Sequence, residues 1–99
     1  MTYNDLDIPN NVKVALDSLV AWATTGDNTK GFKEYALTYV DALPQSAMEG
    51  QQMEGDPFKG IRMQIPYILG NIQYWKGDEA KASKEVLKEY YDSLSKNGH

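Results

Sequence analysis

The chain has 99 residues, with 14 acidic and 10 basic side chains and a formal net charge of −4. It contains no cysteine, which excludes disulfides and thiolate metal sites, and its one histidine, His99, stands at the end, which disfavours a histidine-based catalytic centre. The acidic excess disfavours direct nucleic-acid binding, since phosphate backbones are held by Lys and Arg.

The length corresponds to a single domain over residues 1–99. No apolar run approaches the roughly 20 residues that cross a bilayer, and the first residues are acidic where a signal peptide is basic. We therefore expect a cytoplasmic protein without membrane association. Charge is uneven along the chain, because residues 1–56 carry nine acids and three bases whereas residues 57–99 carry five acids and seven bases. We expect these halves to attract each other, within the fold or between copies.

The first predicted helix follows an N-terminal arm, residues 1–9, which packs on the body or frays. Apolar residues recur every three or four positions over residues 12–23, which predicts a helix. Asn10 or Asn11 is a suitable N-cap, and Gly26 is expected to end the helix.

The second predicted helix carries a regular apolar stripe over residues 32–43 that includes Phe32, Tyr35 and Tyr39. Its N-cap is expected at Asp27 or Thr29, and Pro44 is expected to end it.

The next segment, residues 44–56, is predicted to be a long flexible acidic loop with at most one helical turn. It contains two glycines and no base, and with Asp41 it holds four acids, Asp41, Glu49, Glu54 and Asp56. These acids either imitate phosphates towards a basic groove on a partner or keep a solvated loop soluble. Met48 and Met53 favour contact, since loops seldom expose two methionines without packing.

The third predicted helix begins with Asp56 as N-cap and Pro57 at its first position. Its apolar residues between positions 58 and 75 fall within an arc of about 120°, which indicates a buried face. Pro66 removes one backbone hydrogen bond in the middle of the pattern, so a kink is expected there. Gly77 is expected to close this helix.

The fourth predicted helix is capped by Asp78, buries a stripe over residues 80–94 and frays at Asn97. No segment shows the alternation of a strand. The sequence therefore predicts an all-α fold, a small four-helix bundle with a kinked third helix and a long acidic loop between helices two and three. The short first and third connections predict that helices one and two, and helices three and four, are neighbours.

The third helix also has a second apolar face, nearly opposite its isoleucine-rich stripe. On a helical wheel this face spans about 80° and contains Gly60, Met63, Tyr67, Gly70 and Tyr74. It is either a second buried face at the centre of the bundle or a surface that binds a partner or a second copy. Tyrosine and methionine suit the latter, because they supply contact area at modest entropic cost.

Two further hypotheses concern small ligands and catalysis. Lys59, Arg62 and Gln73 lie beside the second face and form an alternative site for a nucleotide or small anion. No carboxylate pair, phosphate-binding loop or metal-ligand spacing is evident. We therefore expect no enzyme activity, no cofactor and no metal ion, with an enzyme of unknown type as the third hypothesis.

Residues 65–80, Ile-Pro-Tyr-Ile-Leu-Gly-Asn-Ile-Gln-Tyr-Trp-Lys-Gly-Asp-Glu-Ala, resemble a segment of small phage and prophage accessory proteins. The resemblance extends over residues 42–90 or so, about half of the chain. It implies a binder that blocks a host protein, for example a defence component, and it carries no catalytic motif. The leading expectation is thus a non-catalytic inhibitor that binds stoichiometrically through Met63, Tyr67 and Tyr74, through the acidic segment, or through both, and a homodimer is also expected.

Overall fold

Five α-helices and a short 3-10 helix build the protein in the computed structural model, which describes residues 2–26 and 33–99. They are the 3-10 helix Tyr3–Asp5, α1 (Asn10–Thr24), α2 (Lys33–Asp41), α3 (Leu43–Glu54), α4 (Pro57–Gly70) and α5 (Asp78–Lys96). No strand occurs in these ranges, so the all-helical prediction is confirmed for them. None of the five helices combines the length and the apolar content of a membrane span.

The prediction of a flexible acidic loop over residues 44–56 is wrong, because α3 occupies most of it. Its buried residues, which recur along one side, are Leu43, Pro44, Ser46, Ala47 and Gly50. Small residues at this spacing have short side chains, which allow the backbone of another helix to approach closely. Glycine at position 50 therefore marks a packing contact and not a break in the chain.

The contact between Gly50 and Gly60 brings the backbones of α3 and α4 together. A β-carbon added at Gly60 would lie 1.7 Å from the carbonyl oxygen of Ser46, and one added at Gly50 would lie 2.8 Å from the backbone nitrogen of Gly60. Only glycine fits at either position without a shift of the backbone. The packing of α3 on α4 is the most extensive contact between two elements of the described chain.

A tight turn connects α3 to α4. Gly55 adopts the left-handed conformation, with φ of +70°, and ends α3. The side chain of Asp56 then accepts a hydrogen bond of 3.0 Å from the backbone N–H of Phe58, and Pro57 stands in the first turn of α4. The prediction that Asp56 and Pro57 begin this helix is confirmed.

Several helix ends differ from the predictions. The N-cap of α1 is Pro9, whose carbonyl oxygen accepts from the first turn, so neither Asn10 nor Asn11 is the cap. The N-cap of α5 is Gly77, at φ of +109°, and Asp78 is its first residue and not its cap. A carboxylate in the first turn still interacts favourably with the helix dipole.

The junction of α2 and α3 corrects the predicted end of the second helix at Pro44. Helix α2 ends at Asp41, Ala42 keeps a helical conformation, and Pro44 lies in the first turn of α3. Proline is tolerated there because its missing N–H would have no partner within the helix. The predicted N-caps and the first stripe residue of the second helix lie outside the described residues: Asp27, Thr29 and Phe32.

Helix α4 is shorter than the predicted third helix, ending at Gly70 and not at Gly77. It continues through Pro66, and the kink predicted there stays a prediction. The following turns keep Trp75 buried, stacked on Trp22 of α1 with 5.5 Å between the ring centroids. This stack joins the segment 71–77 to α1.

The core lies between α1, α4 and α5, with α2 and α3 packed on α4 and the predicted neighbours α1–α2 and α4–α5 in contact. Its largest fully buried side chains are Leu16, Leu19, Val40, Ile68, Ile72 and Leu87. The N-terminal arm packs on the body, because Tyr3 and Ile8 are buried and the Tyr3 hydroxyl donates a hydrogen bond to Asp17.

We expect Gly60→Ala to lower the free energy of unfolding by about 2–3 kcal/mol, because the new methyl group overpacks the contact with α3. The midpoint of thermal unfolding should fall by about 10 °C or more. Gly70→Ala is the matched control, since a β-carbon there meets nothing within 4 Å. It should change the free energy by no more than about 1 kcal/mol, towards stabilisation. Equal effects of both substitutions in thermal or urea unfolding would contradict the close contact.

Candidate protein-interaction surface

The solvent side of α4 carries no charge over its last two turns. Its exposed residues are Met63, Pro66, Tyr67 and Gly70, whereas the isoleucines on the opposite side are buried. Met63 is 65% exposed and Tyr67 is 56% exposed. Helices on a protein surface ordinarily place charged or polar residues towards water. An uncharged exposed face is therefore the feature that needs an explanation.

The apolar surface extends from α4 onto α2. The rings of Tyr67 and Tyr39 stack with 5.3 Å between their centroids and an angle of 20° between their planes. Tyr39 is partly buried and packs against the core, which anchors the exposed Tyr67 ring. Tyr35 lies one turn before Tyr39 and is 59% exposed, so this member of the predicted apolar stripe is not part of the core. It widens the surface instead.

The surface also continues onto α3, across a groove of about 490 Å³ between α3 and α4. Met53 and Met63 line this groove, one from each helix, together with Glu49 and Glu54. Met53 is 83% exposed, the highest value among the exposed large apolar side chains of the described residues. We call Tyr35, Met53, Met63 and Tyr67 the Met–Tyr surface. Folding thus brings together residues from both predicted candidate regions.

The remaining predicted interaction residues lie in different surroundings. Gly60 is buried against α3 and is not part of an exposed face, which corrects the predicted clustering. Gly70 is open to solvent at the end of α4. Met48 is 45% exposed on α3, and Tyr74 is 62% exposed in the segment 71–77, beyond the last residue of α4.

Of the predicted anion site Lys59, Arg62 and Gln73, the first two line the groove between α3 and α4. Lys59 forms an ion pair of 2.9 Å with Glu54. Arg62 donates hydrogen bonds to the Ser95 hydroxyl at 3.0 Å and to the carbonyl oxygen of His99 at 2.7 Å. Gln73 is exposed in the segment after α4. Both cations therefore make contacts within the chain, and the alternative of an anion site stays a prediction.

Asp56 has a structural partner that the sequence does not reveal. Its carboxylate contacts the His99 ring, which also packs against Phe58 with 5.2 Å between ring centroids. These residues are about 40 positions apart in the chain, so no local pattern indicates the contact. Asp56 thus links the C-terminal residues to the start of α4. Its carboxylate is engaged within the chain, which argues against its predicted role in binding a partner.

The titratable groups show few perturbations. Burial raises the pKa of Tyr90 to about 12, and burial together with the Asp17 carboxylate raises the pKa of Tyr3 still further. Both phenols therefore stay protonated at neutral pH. Among residues 2–26 and 33–99, no cluster of His, Asp and Glu has the arrangement of a metal site.

The hydrogen bond from His99, followed by the one from the Phe58 N–H, lowers the pKa of the Asp56 carboxyl below its ordinary value. A carboxyl whose pKa is lowered by folding stabilises the fold above its ordinary pKa, and this stabilisation is lost as the pH falls through the lowered value. We therefore expect Asp56→Ala to reduce the unfolding temperature clearly at pH 7 and much less at about pH 2–3.

Asp92→Ala removes an exposed aspartate from α5 and serves as the control. Its effect on the unfolding temperature should be small at pH 7. If the unfolding temperatures of wild type and Asp56→Ala differed by the same amount at pH 7 and at about pH 2–3, the role of the ionised carboxylate would be contradicted.

Comparison with protein-family models, with curated proteins and with solved structures finds no match for this chain. The choice of the Met–Tyr surface as the candidate site therefore depends on exposure, packing and charge in this chain itself.

Proposed function

We propose that the protein is a small non-catalytic binder that occupies another protein stoichiometrically through the Met–Tyr surface. The observation that carries this proposal is the uncharged exposed face of α4 from Met63 to Gly70. An exposed apolar face opposes solubility unless a partner covers it, so its presence favours an interaction surface.

The side chains of the Met–Tyr surface suit protein binding. Aromatic residues and methionine are enriched at interfaces, where tyrosine combines a large apolar ring with a hydroxyl that tolerates partial wetting. The stack on Tyr39 holds the Tyr67 ring in place before binding. A pre-ordered ring loses less conformational entropy on association. Met53 and Met63 are flexible and adapt to the shape of the partner.

The proposed target is a host protein, which the chain would block by binding to it in the host cytoplasm. The resemblance of residues 65–80 to phage and prophage accessory proteins supports this choice. The net charge of −4 argues against direct binding to nucleic acid. A second copy of the chain is the competing occupant, because a two-fold dimer is a common way to cover an exposed apolar face.

The test compares two substitutions to Glu at equally exposed apolar positions. Met63→Glu places a charge in the Met–Tyr surface, whereas Val14→Glu places one on α1, where Val14 is 62% exposed. After a partner captured from host lysate has been identified and purified, isothermal titration calorimetry should give a stoichiometry of one. We expect Met63→Glu to weaken binding by at least about tenfold and Val14→Glu by less than about twofold.

Circular dichroism and unfolding temperature check that both variants keep the fold, which exposed positions should allow. Equal binding by both variants would reject the Met–Tyr surface as the interface. Sedimentation velocity tests the competing occupant. A dimer that Met63→Glu dissociates and Val14→Glu does not would assign the surface to a second copy.

A further inference from the structure

The α3–α4 groove is the part of the Met–Tyr surface that combines apolar and charged walls. Met53 and Glu49 line it from α3, and Met63 and Gln64 line it from α4. Its floor is the contact between the two glycines, which contribute no side chain. The groove therefore offers two flexible apolar walls on either side of a backbone floor.

Glu49 supplies a carboxylate that has no cationic partner. It accepts a hydrogen bond of 3.2 Å from the neutral side-chain amide of Gln45, one turn earlier on α3. Among the described residues no Lys, Arg or His side chain lies within ion-pair distance of Glu49. A carboxylate at the wall of an apolar groove attracts a positively charged group, and the attraction strengthens when water is excluded.

Gln64 supplies an acceptor without a donor. Its side-chain oxygen is buried and has no hydrogen-bond partner within the described part of the chain. Water does not reach this oxygen, and a donor in the groove pairs with it only after the Gln64 side chain turns towards the groove, a turn that the unpaired buried acceptor favours. The acceptor that the groove presents is thus the exposed Glu49 carboxylate, with Gln64 as a second one after it turns, and cationic side chains such as Lys and Arg are donors only.

Two cations, Lys59 and Arg62, also line the groove, but neither pairs with Glu49. Lys59 is paired with Glu54, and Arg62 is held by Ser95 and by the carbonyl oxygen of His99. Of the four acids in residues 41–56, Glu54 and Asp56 have partners in Lys59 and His99, which leaves Asp41 and Glu49 without a cation among the described residues. The charge complementary to Glu49 therefore has to come from the partner, whose approach is accelerated by the net charge of −4.

The length of the groove suits a helix as its occupant. Its lining on α3 runs from Ser46 to Glu54, roughly 12 Å along the axis, which is about two turns of a partner helix. Beyond Met63, the next turn of α4 presents Tyr67, which extends the apolar wall. Helices bind such grooves through apolar residues spaced three and four apart.

On these grounds we infer that the groove binds an amphipathic helix of the partner protein whose apolar stripe is bordered by Lys or Arg. The inference rests on the proposed function, because it names the partner chemistry for the same surface. A second copy does not supply such a helix among the described elements. Only α4 has more bases than acids, and both of its cations are engaged within the chain.

The test uses three fluorescent model peptides of about 15 residues and measures their binding by fluorescence anisotropy. The first has leucines at helical spacing with lysines at the remaining positions. The second has the same leucines with glutamates, and the third is the lysine peptide with its leucines scrambled. We expect the first peptide to bind at least about tenfold more tightly than either of the others, and its affinity to fall with added salt.

Two variants of equal net charge separate the groove from general attraction to an acidic protein. Glu49→Gln removes the carboxylate at the groove, and Glu85→Gln removes an exposed one from α5. The lysine peptide should bind Glu49→Gln about three- to tenfold more weakly than wild type and Glu85→Gln within about twofold. Met63→Glu and its control Val14→Glu test the apolar wall of the groove in the same way, by their affinity for the lysine peptide.

Equal affinity for lysine and glutamate peptides, or equal loss in Glu49→Gln and Glu85→Gln, would overturn the inference. If the lysine peptide does not bind, but Met63→Glu still abolishes binding of the natural partner, the proposed function stands and the inference of a basic helix is wrong. If Met63→Glu binds the natural partner as well as wild type does, the proposed function fails as well. A groove-dependent dimer that excludes the peptide would identify a second copy as the occupant and overturn the inference.

Discussion

The backbone contact between Gly50 and Gly60 is the constraint on which the rest of the structure depends. It lets α3 and α4 approach so closely that neither position accepts a β-carbon. Because α3 is fixed in this way, a segment with few large apolar residues becomes a helix with a buried side. The same approach leaves the bulkier residues Met53 and Met63 at the borders of the contact, where they line a groove.

Part of the fold follows from local patterns in the sequence. The helical spacing in α1, α4 and α5 and the Asp56–Pro57 start signal are local features, and the structure contains the elements they predict. Helix α3 escaped prediction because its glycine and small side chains favour a loop when judged alone. What orders it is packing against α4, a contact between residues ten positions apart. Tertiary packing here overrides intrinsic propensity.

The sequence allowed single residues of the candidate site to be predicted, but not how the fold brings them together. Met63 and Tyr67 were recognisable from the wheel of α4, and Met53 from its place among acids. That α3 brings Met53 and Glu49 to Met63 requires the helical hairpin. Tyr35 has the spacing of a core residue, and only the packing of α2 shows that its ring is exposed. The pairing of Arg62 with the C-terminal residues likewise depends on a contact distant in sequence.

The stack of Trp22 on Trp75 has a consequence for spectroscopy. These are the two tryptophans of the chain, Trp22 on α1 and Trp75 after the end of α4, and neither of them lines the groove. Their intrinsic emission therefore monitors the docking of segment 71–77 onto α1. The transition dipoles of two indoles this close couple, which gives the folded state an optical signature that is lost when that segment detaches.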